Sequence, residues 1–304
     1  MTAATTRTAA QILRVLPRER ITRLLGHLGA AQLPQPVLRP FLSAYQRAYR
    51  VDMHEAVVPD GGFRSFNEFF TRRVRDGVHQ IDAREDVVVS PADGRLDDQG
   101  PIDDARRFVV KGNDYNAAEL LGDAAEAEDF AGGHFAVVYL SPRDYHRVHS
   151  PVAGRVRRVR HLPGTLFPVN DIGVRHVPRL LSRNERVVVR IESEGLGPVA
   201  LVFVGAFVVG GIDLAFPGPA RPAHGGATAE REYGDDGPRL ARGDEVGLFR
   251  VGSTAVVLVP RQAGAAWSAA DGAPRARCAW ATRCFNERAR KGRDGEPRRG
   301  LRAH

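Results

Sequence analysis

Apolar positions in the first part of the chain recur at helical spacing. Ile21, Leu24, Leu25 and Leu28 fall at i, i+3, i+4 and i+7 and form one stripe, while Arg18, Arg20 and Arg23 project elsewhere. The pattern predicts a basic amphipathic helix over 18–31 after Pro17, a shorter helix near Ile12–Leu16, and another over Pro40–Tyr49. Such a helix can pack on its own domain or lie in a membrane interface. Ser65-x-x-Glu68 ahead of Phe69 and Phe70 reads as a capping box opening a helix to about Val74. Asn116-x-x-Glu119 ahead of Leu120 and Leu121 repeats the device.

From about residue 86 the period changes. Short Val-rich runs at 87–89, 108–110, 135–140, 187–191, 199–204, 206–209 and 254–259 alternate with Gly and Pro turns, which predicts a β-rich core. Gly195–Ile212 carries no charge and has about the length of a membrane span. Pro198, Gly205, Gly210 and Gly211 interrupt it, however, and Val and Phe dominate, so two buried strands explain it better than one helix. The fold class expected is α+β, with N-terminal amphipathic helices followed by a β-rich core. The expected divisions are a helical region over 1–80, a β-rich domain over 81–270, and a basic tail over 271–304, disordered in part.

Charge sharpens this division. The net charge of +8 is concentrated at the two ends: residues 1–50 hold eight arginines against one glutamate, and residues 275–304 hold ten basic against three acidic residues. That distribution fits ends that meet an anionic surface, phospholipid or nucleic acid. Nearly all the basic residues are arginine, Lys111 and Lys291 being the two lysines, a bias that genome composition can also produce. The cysteines, Cys278 and Cys284, make neither a disulfide framework nor a metal motif. No apolar stretch at the N-terminus reads as a signal peptide.

Three stretches carry reactive residue types. SPADGRL at 90–96 places Asp93 in a tight turn. SPRDYHRVHSPVAG at 141–154 gathers Asp144, Tyr145, His146, Arg147 and His149. The two histidines share a face if the segment is helical and point apart if it is extended, and no third ligand with metal spacing accompanies them. FRVGSTAVVLVP at 249–260 pins Ser253 between two apolar runs. Asp, His and Ser together permit a nucleophile, a base and an orienting carboxylate. One chemistry open to them is ester hydrolysis, although G-x-S-x-G is absent around Ser253. The other is attack of the Ser253 hydroxyl on the carbonyl of Gly252, its own preceding peptide, favoured by proximity and by the missing glycine Cβ.

Taken together these segments resemble the bacterial phosphatidylserine decarboxylases. The likeness rests on RVDMHEA (50–56), FRSFNEFF (63–70), SPADGRL, SPRDYHRVHSPVAG, PGTLFPVN (163–170), RNERV (183–187), VGAFVVGGI (204–212) and GLFRVGSTAVVL (247–258), in order from about residue 15 to 260. The resemblance implies self-cleavage between Gly252 and Ser253, with Ser253 converted into a covalent pyruvoyl group, and no metal. It assigns His149 as the base, oriented by Asp93, with Asp144 in support. His146 would assist decarboxylation or the return of the proton, and Tyr145, Phe167 and Val169 would line the substrate site. The implied reaction forms a Schiff base with phosphatidylserine, loses CO2 and releases phosphatidylethanolamine. The implied partners are phosphatidylserine and an anionic membrane surface, not nucleic acid. Two chains would come from one proenzyme, with a homodimer of such pairs allowed. With the missing signal peptide, the implied location is peripheral, on the cytoplasmic face of a bacterial cell membrane. Val251 and Pro168 depart from the family pattern, and the Arg-rich tail has no counterpart in it.

Overall fold

The computed structural model describes residues 18–79, 81–82, 84, 87–206, 211–223, 225–250, 253–265 and 277–278. Outside them lie the expected helix near Ile12–Leu16, most of the run 206–209, Gly252, and the tail apart from 277–278.

Three helices precede the core: α1 (Arg18–Ala30), α2 (Gln35–Tyr49) and α3 (Phe66–Phe70). Helix α2 begins earlier than the expected Pro40. Pro36 stands in the first turn, where a missing N–H costs nothing, and Pro40 is accommodated inside the helix on its exposed side. The Ser65 hydroxyl accepts from the Glu68 amide at 3.1 Å, so the cap forms as expected, but Glu68 reaches back to the Arg64 amide rather than to that of Ser65. The helix ends at Phe70 and not near Val74. The Thr71 hydroxyl bonds the Asn67 carbonyl, and Val74 is taken up by a β-bridge with Ala56. Leu38 and Leu42, one turn apart on α2, bury against Phe63 and Phe69 to form a small core of their own.

The remainder is antiparallel sheet. In chain order the strands are β1 (Gly94–Pro101), β2 (Arg107–Val110), β3 (Asn113–Asn116), β4 (His134–Leu140), β5 (Arg147–His149), β6 (Gly154–Leu162) and β7 (Arg186–Ser193). They continue with β8 (Gly197–Val204), β9 (Ile212–Leu214), β10 (Ala229–Glu232), β11 (Arg239–Leu240), β12 (Glu245–Phe249), β13 (Ser253–Val259) and β14 (Arg277–Cys278). The large sheet runs β10-β6-β7-β8-β13-β4-β1-β14, with β11 on β6, and a small sheet runs β5-β12-β9. The run 87–89 is buried but joins no ladder; the Val89 amide donates to the Pro151 carbonyl instead. Helix α4 (Ala117–Leu121) is capped by Asn116, whose side chain accepts from the Ala118 amide.

Period-2 alternation sorts the central strands between two apolar layers. Ala255, Val257 and Val259 of β13, Ala136, Val138 and Leu140 of β4, and Val199, Leu201 and Phe203 of β8 enter one cluster. Val256 and Leu258, Phe135 and Val137, and Ala200, Val202 and Val204 enter the other. Every residue of β13 is buried, since both faces of the sheet are covered. The first layer also contains Val148, Val246 and Phe249 of the small sheet, so that sheet packs over this face.

Candidate active site

Ser253 opens β13 at the centre of the large sheet, opposite Leu140 of β4. Alternation puts its side chain in phase with Ala255, on the face covered by the small sheet. It is 0 % exposed, and its Oγ has no hydrogen-bond partner among the described residues. Buried hydroxyls are normally paired because an unmade bond costs about 1–3 kcal/mol, which marks this hydroxyl as a candidate for chemistry.

The small sheet carries the histidines. His149 ends β5 opposite Glu245 of β12, and His146 lies one residue before the strand. Arg147 locks the pairing: its guanidinium spans both Glu245 oxygens at 2.6 and 2.8 Å, and its Nε donates to the Thr71 carbonyl at 3.0 Å. The segment is extended, so the two imidazoles go different ways.

His146 is wholly buried against the Phe70 ring, with centroids 4.0 Å apart. Its Nδ1 donates to the Asp144 carbonyl at 2.8 Å, which leaves Nε2 as a lone-pair nitrogen without a hydrogen-bond partner among the described residues. Burial depresses its pKa to about 3, although the Asp144 contacts pull the other way. His149 donates from Nδ1 to the Gly243 carbonyl at 2.8 Å, and its Nε2 accepts from the Tyr145 hydroxyl at 3.1 Å. Burial again dominates and lowers its pKa to about 4. Both rings are therefore neutral near pH 7, as a base must be.

Asp144 accepts from the amide and hydroxyl of Ser141 at 2.8 and 2.6 Å, closing the turn that aims its own carbonyl at His146. Asp93 precedes β1, and the neighbouring Pro91 carbonyl accepts from the His149 amide at 2.7 Å, so the SPADG segment lies alongside the second histidine. Gly94 is required there: a Cβ would come within 2.5 Å of the Tyr139 carbonyl. A cavity of about 370 Å³ is lined by Asp93, Asp144 and Tyr145 together with Arg72 and His79. Tyr145 is buried and joins this cavity to His149, and burial pushes its hydroxyl pKa up.

Phe167 and Val169 are both buried in the second apolar layer. The Asn184 side chain holds their loop, bonding the amide and carbonyl of Phe167 at 3.0 and 2.8 Å and the Gly205 carbonyl at 2.8 Å. Val169 and Pro168 line a second, apolar cavity of about 710 Å³, bounded across by Leu25, Leu28 and Phe41 of the N-terminal helices. Sequence reasoning passed over Arg72, His79, Asn184, Gly243 and Glu245. Each lies in a stretch without pattern or contributes only a backbone atom; RNERV, around Asn184, was the one available signal.

No group of three or more His, Cys, Asp or Glu residues suited to a metal ion occurs among the described residues. A sequence profile described as phosphatidylserine decarboxylase matches residues 66–281. The phosphatidylserine decarboxylase proenzyme of Shewanella sp. strain MR-4 is 41% identical over 257 residues, covering 82% of this chain and 86% of that protein. The proenzyme of Shewanella baltica strain OS155 shows the same identity and coverage, and that of Shewanella pealeana is 39% identical over 82% of this chain and 88% of its own length.

Proposed function

Because this chain belongs to the phosphatidylserine decarboxylase family, we propose that it converts phosphatidylserine to phosphatidylethanolamine and CO2 after cutting itself between Gly252 and Ser253. The observation that carries the reading is the buried, unpartnered Ser253 hydroxyl on the central strand, beneath a small sheet bearing two neutral histidines.

In self-cleavage the Ser253 Oγ adds to the Gly252 carbonyl and the C–N bond breaks, so an ester replaces the amide. Elimination frees the Gly252 carboxylate. One water then releases the former Ser253 nitrogen as ammonia and leaves a pyruvoyl group on the second chain. A fully buried serine oxygen with no hydrogen-bond partner among the described residues fits this origin for the cofactor. When formed, that group supplies, through Schiff-base chemistry, the electron sink for loss of the substrate carboxylate.

His149 takes the Ser253 proton in this reading. Its Nδ1–H is committed to Gly243, which fixes the tautomer with the basic lone pair on Nε2. Proton transfer requires either that Nε2 exchange Tyr145 for Ser253 or that the proton pass through the Tyr145 hydroxyl. Asp93 acts in the adjoining cavity, and Asp144 positions His146. The free Nε2 of His146 is suited to holding or returning the proton of the decarboxylation step. Tyr145 and Val169 face the two cavities, while Phe167 supports the loop that carries Val169.

The substrate sits in a bilayer. Leu24, Leu28, Val37 and Phe41 are 59, 59, 58 and 51 % exposed, an apolar face unsuited to water. No helix among the described residues is long and apolar enough to cross a membrane. The helices therefore seat peripherally in an anionic leaflet, with the 710 Å³ cavity accommodating acyl chain beside the site.

The deciding experiment is a denatured intact-mass spectrum of the wild-type protein beside Ser253→Ala, paired with a decarboxylation assay on phosphatidylserine vesicles. Two wild-type chains, the smaller lighter by one ammonia than hydrolysis alone gives, are expected, with one intact, inactive chain in the variant. An intact wild-type chain that decarboxylates would overturn the reading.

A further inference from the structure

RVDMHEA contains a carboxylate that the reading above leaves without a task. The backbone shows where it goes. Ala56 bridges Val74, the Val57 amide donates to the Arg73 carbonyl at 2.8 Å, and the Arg75 amide donates to the Glu55 carbonyl at 2.8 Å. This short antiparallel contact sets Glu55 beside the turn that leads to His79. The His79 imidazole is nearly buried, its side chain 8 % exposed. Its Nε2 stands 3.6 Å from Asp93 Oδ2 and 3.7 Å from Glu55 Oε2. Three residues from separate segments thus converge, one imidazole nitrogen within 4 Å of two carboxylates, on the wall of the 370 Å³ cavity that Tyr145 also lines.

We propose that His79 is a positioning residue for self-cleavage: set against Asp93 in ion-pair geometry and backed by Glu55, it holds the Asp93 carboxylate aimed at the Tyr145–His149 pair. The arrangement has a physical use. Asp93 shares its cavity with Asp144, and like charges in a partly closed space repel unless a cation lies between or beside them. Asp93 is 20 % exposed and gains from a fixed cationic neighbour, whereas Glu55 is 52 % exposed and keeps the imidazole in place from the solvent side. Two arginines share this wall: Arg72 is tied by its guanidinium to the Arg143 carbonyl at 3.2 Å, and the Arg143 side chain lies 3.9 Å from Asp144, so both are engaged on the Asp144 side.

This inference rests on the proposed self-cleavage, and the test separates the two. The half-time of chain cleavage is followed by intact mass from the moment of synthesis in wild type, His79→Ala, His79→Gln and His79→Arg, with the melting temperature of each variant. Slowing of about tenfold or more is expected in His79→Ala and His79→Gln, with cleavage largely restored in His79→Arg, whose cation can reach Asp93. Glu55→Gln should slow cleavage by a smaller factor. Folded His79→Ala protein that cleaves at the wild-type rate overturns the inference, and so does folded His79→Arg that is as slow as the neutral variants. If His79→Ala fails to fold, the contrast between Gln and Arg decides. If the wild type never cleaves, it is the parent reading that falls, and the variants are then moot for processing.

Discussion

The N-terminal helices and the β-sheet treat the same residue types in opposite ways. In the sheet, Val, Leu and Phe alternate between two covered layers, and the central strand β13 has no exposed residue. In α1 and α2, Leu24, Leu28, Val37 and Phe41 are exposed, whereas Leu38 and Leu42, with Tyr45 packed against them, serve a small core. Buried apolar area stabilises the fold in both regions; the exposed apolar area of the helices is left over for another surface. The loop that carries the candidate histidines lies at the junction. The Tyr45 hydroxyl of α2 donates to the Pro142 carbonyl at 3.0 Å, and Phe70 of α3 packs against His146, so the N-terminal helices contact the candidate site directly.

The sharpest break of this contrast is at its centre. Ser253→Ala should abolish cleavage and decarboxylation while leaving the melting temperature unchanged or raised, because the methyl group removes an unpaired buried hydroxyl costing about 1–3 kcal/mol. A lowered melting temperature would mean that Oγ has a structural partner. Next in size is Phe203→Ala on β8, 0 % exposed, which should cost about 3–5 kcal/mol by denaturant titration. The double change Leu24→Ser, Leu28→Ser is the counterpart on the helices. It should shift the denaturation midpoint little, yet weaken binding to anionic phosphatidylserine vesicles about tenfold or more. A stability loss like that of Phe203→Ala would place these leucines in a core instead.

The smallest effect concerns pH. His146 and His149 have folded pKa values of about 3 and about 4, below the unfolded value near 6.5. Between roughly pH 6.5 and 4 the unfolded chain binds protons that the folded chain refuses, so stability falls as pH falls, by up to about 1.4 kcal/mol per unit for each ring. Denaturant titrations of uncleaved Ser253→Ala across that window should show this slope, and adding His146→Asn should make it shallower. An unchanged slope would show that His146 is not held neutral by burial.

Much of this contrast was legible beforehand. The 3.6-residue stripe, the Ser65 and Asn116 caps and the Val-rich runs are local patterns, and local patterns are what propensity and period report. The helix boundaries that moved did so through tertiary competition: Thr71 turned its hydroxyl back on α3, and Val74 went to a bridge with Ala56. The candidate chemistry was legible as residue types in dense motifs, Asp93, Asp144, His146, His149 and Ser253 among them, but their partners were not. The resemblance gives Asp93 as the orienter of His149; the structure adds that the ring's two nitrogens bond Gly243 and Tyr145 and that the Asp93 carboxylate lies 3.6 Å from His79.

By itself the sequence determined most of the helices and strands, that 195–212 would form buried strands rather than a membrane span, and that a serine would sit between two apolar runs. Those follow from chain-local rules: side chains alternate along a strand and repeat every turn of a helix. Only the tertiary structure decided that Arg147 pairs with Glu245, 98 residues away, and that positions 55, 79 and 93 meet at one imidazole. It alone left the Ser253 hydroxyl buried and without a hydrogen-bond partner among the described residues. Such juxtapositions depend on how sheets stack and loops close, and electrostatics and desolvation act through space, not along the chain.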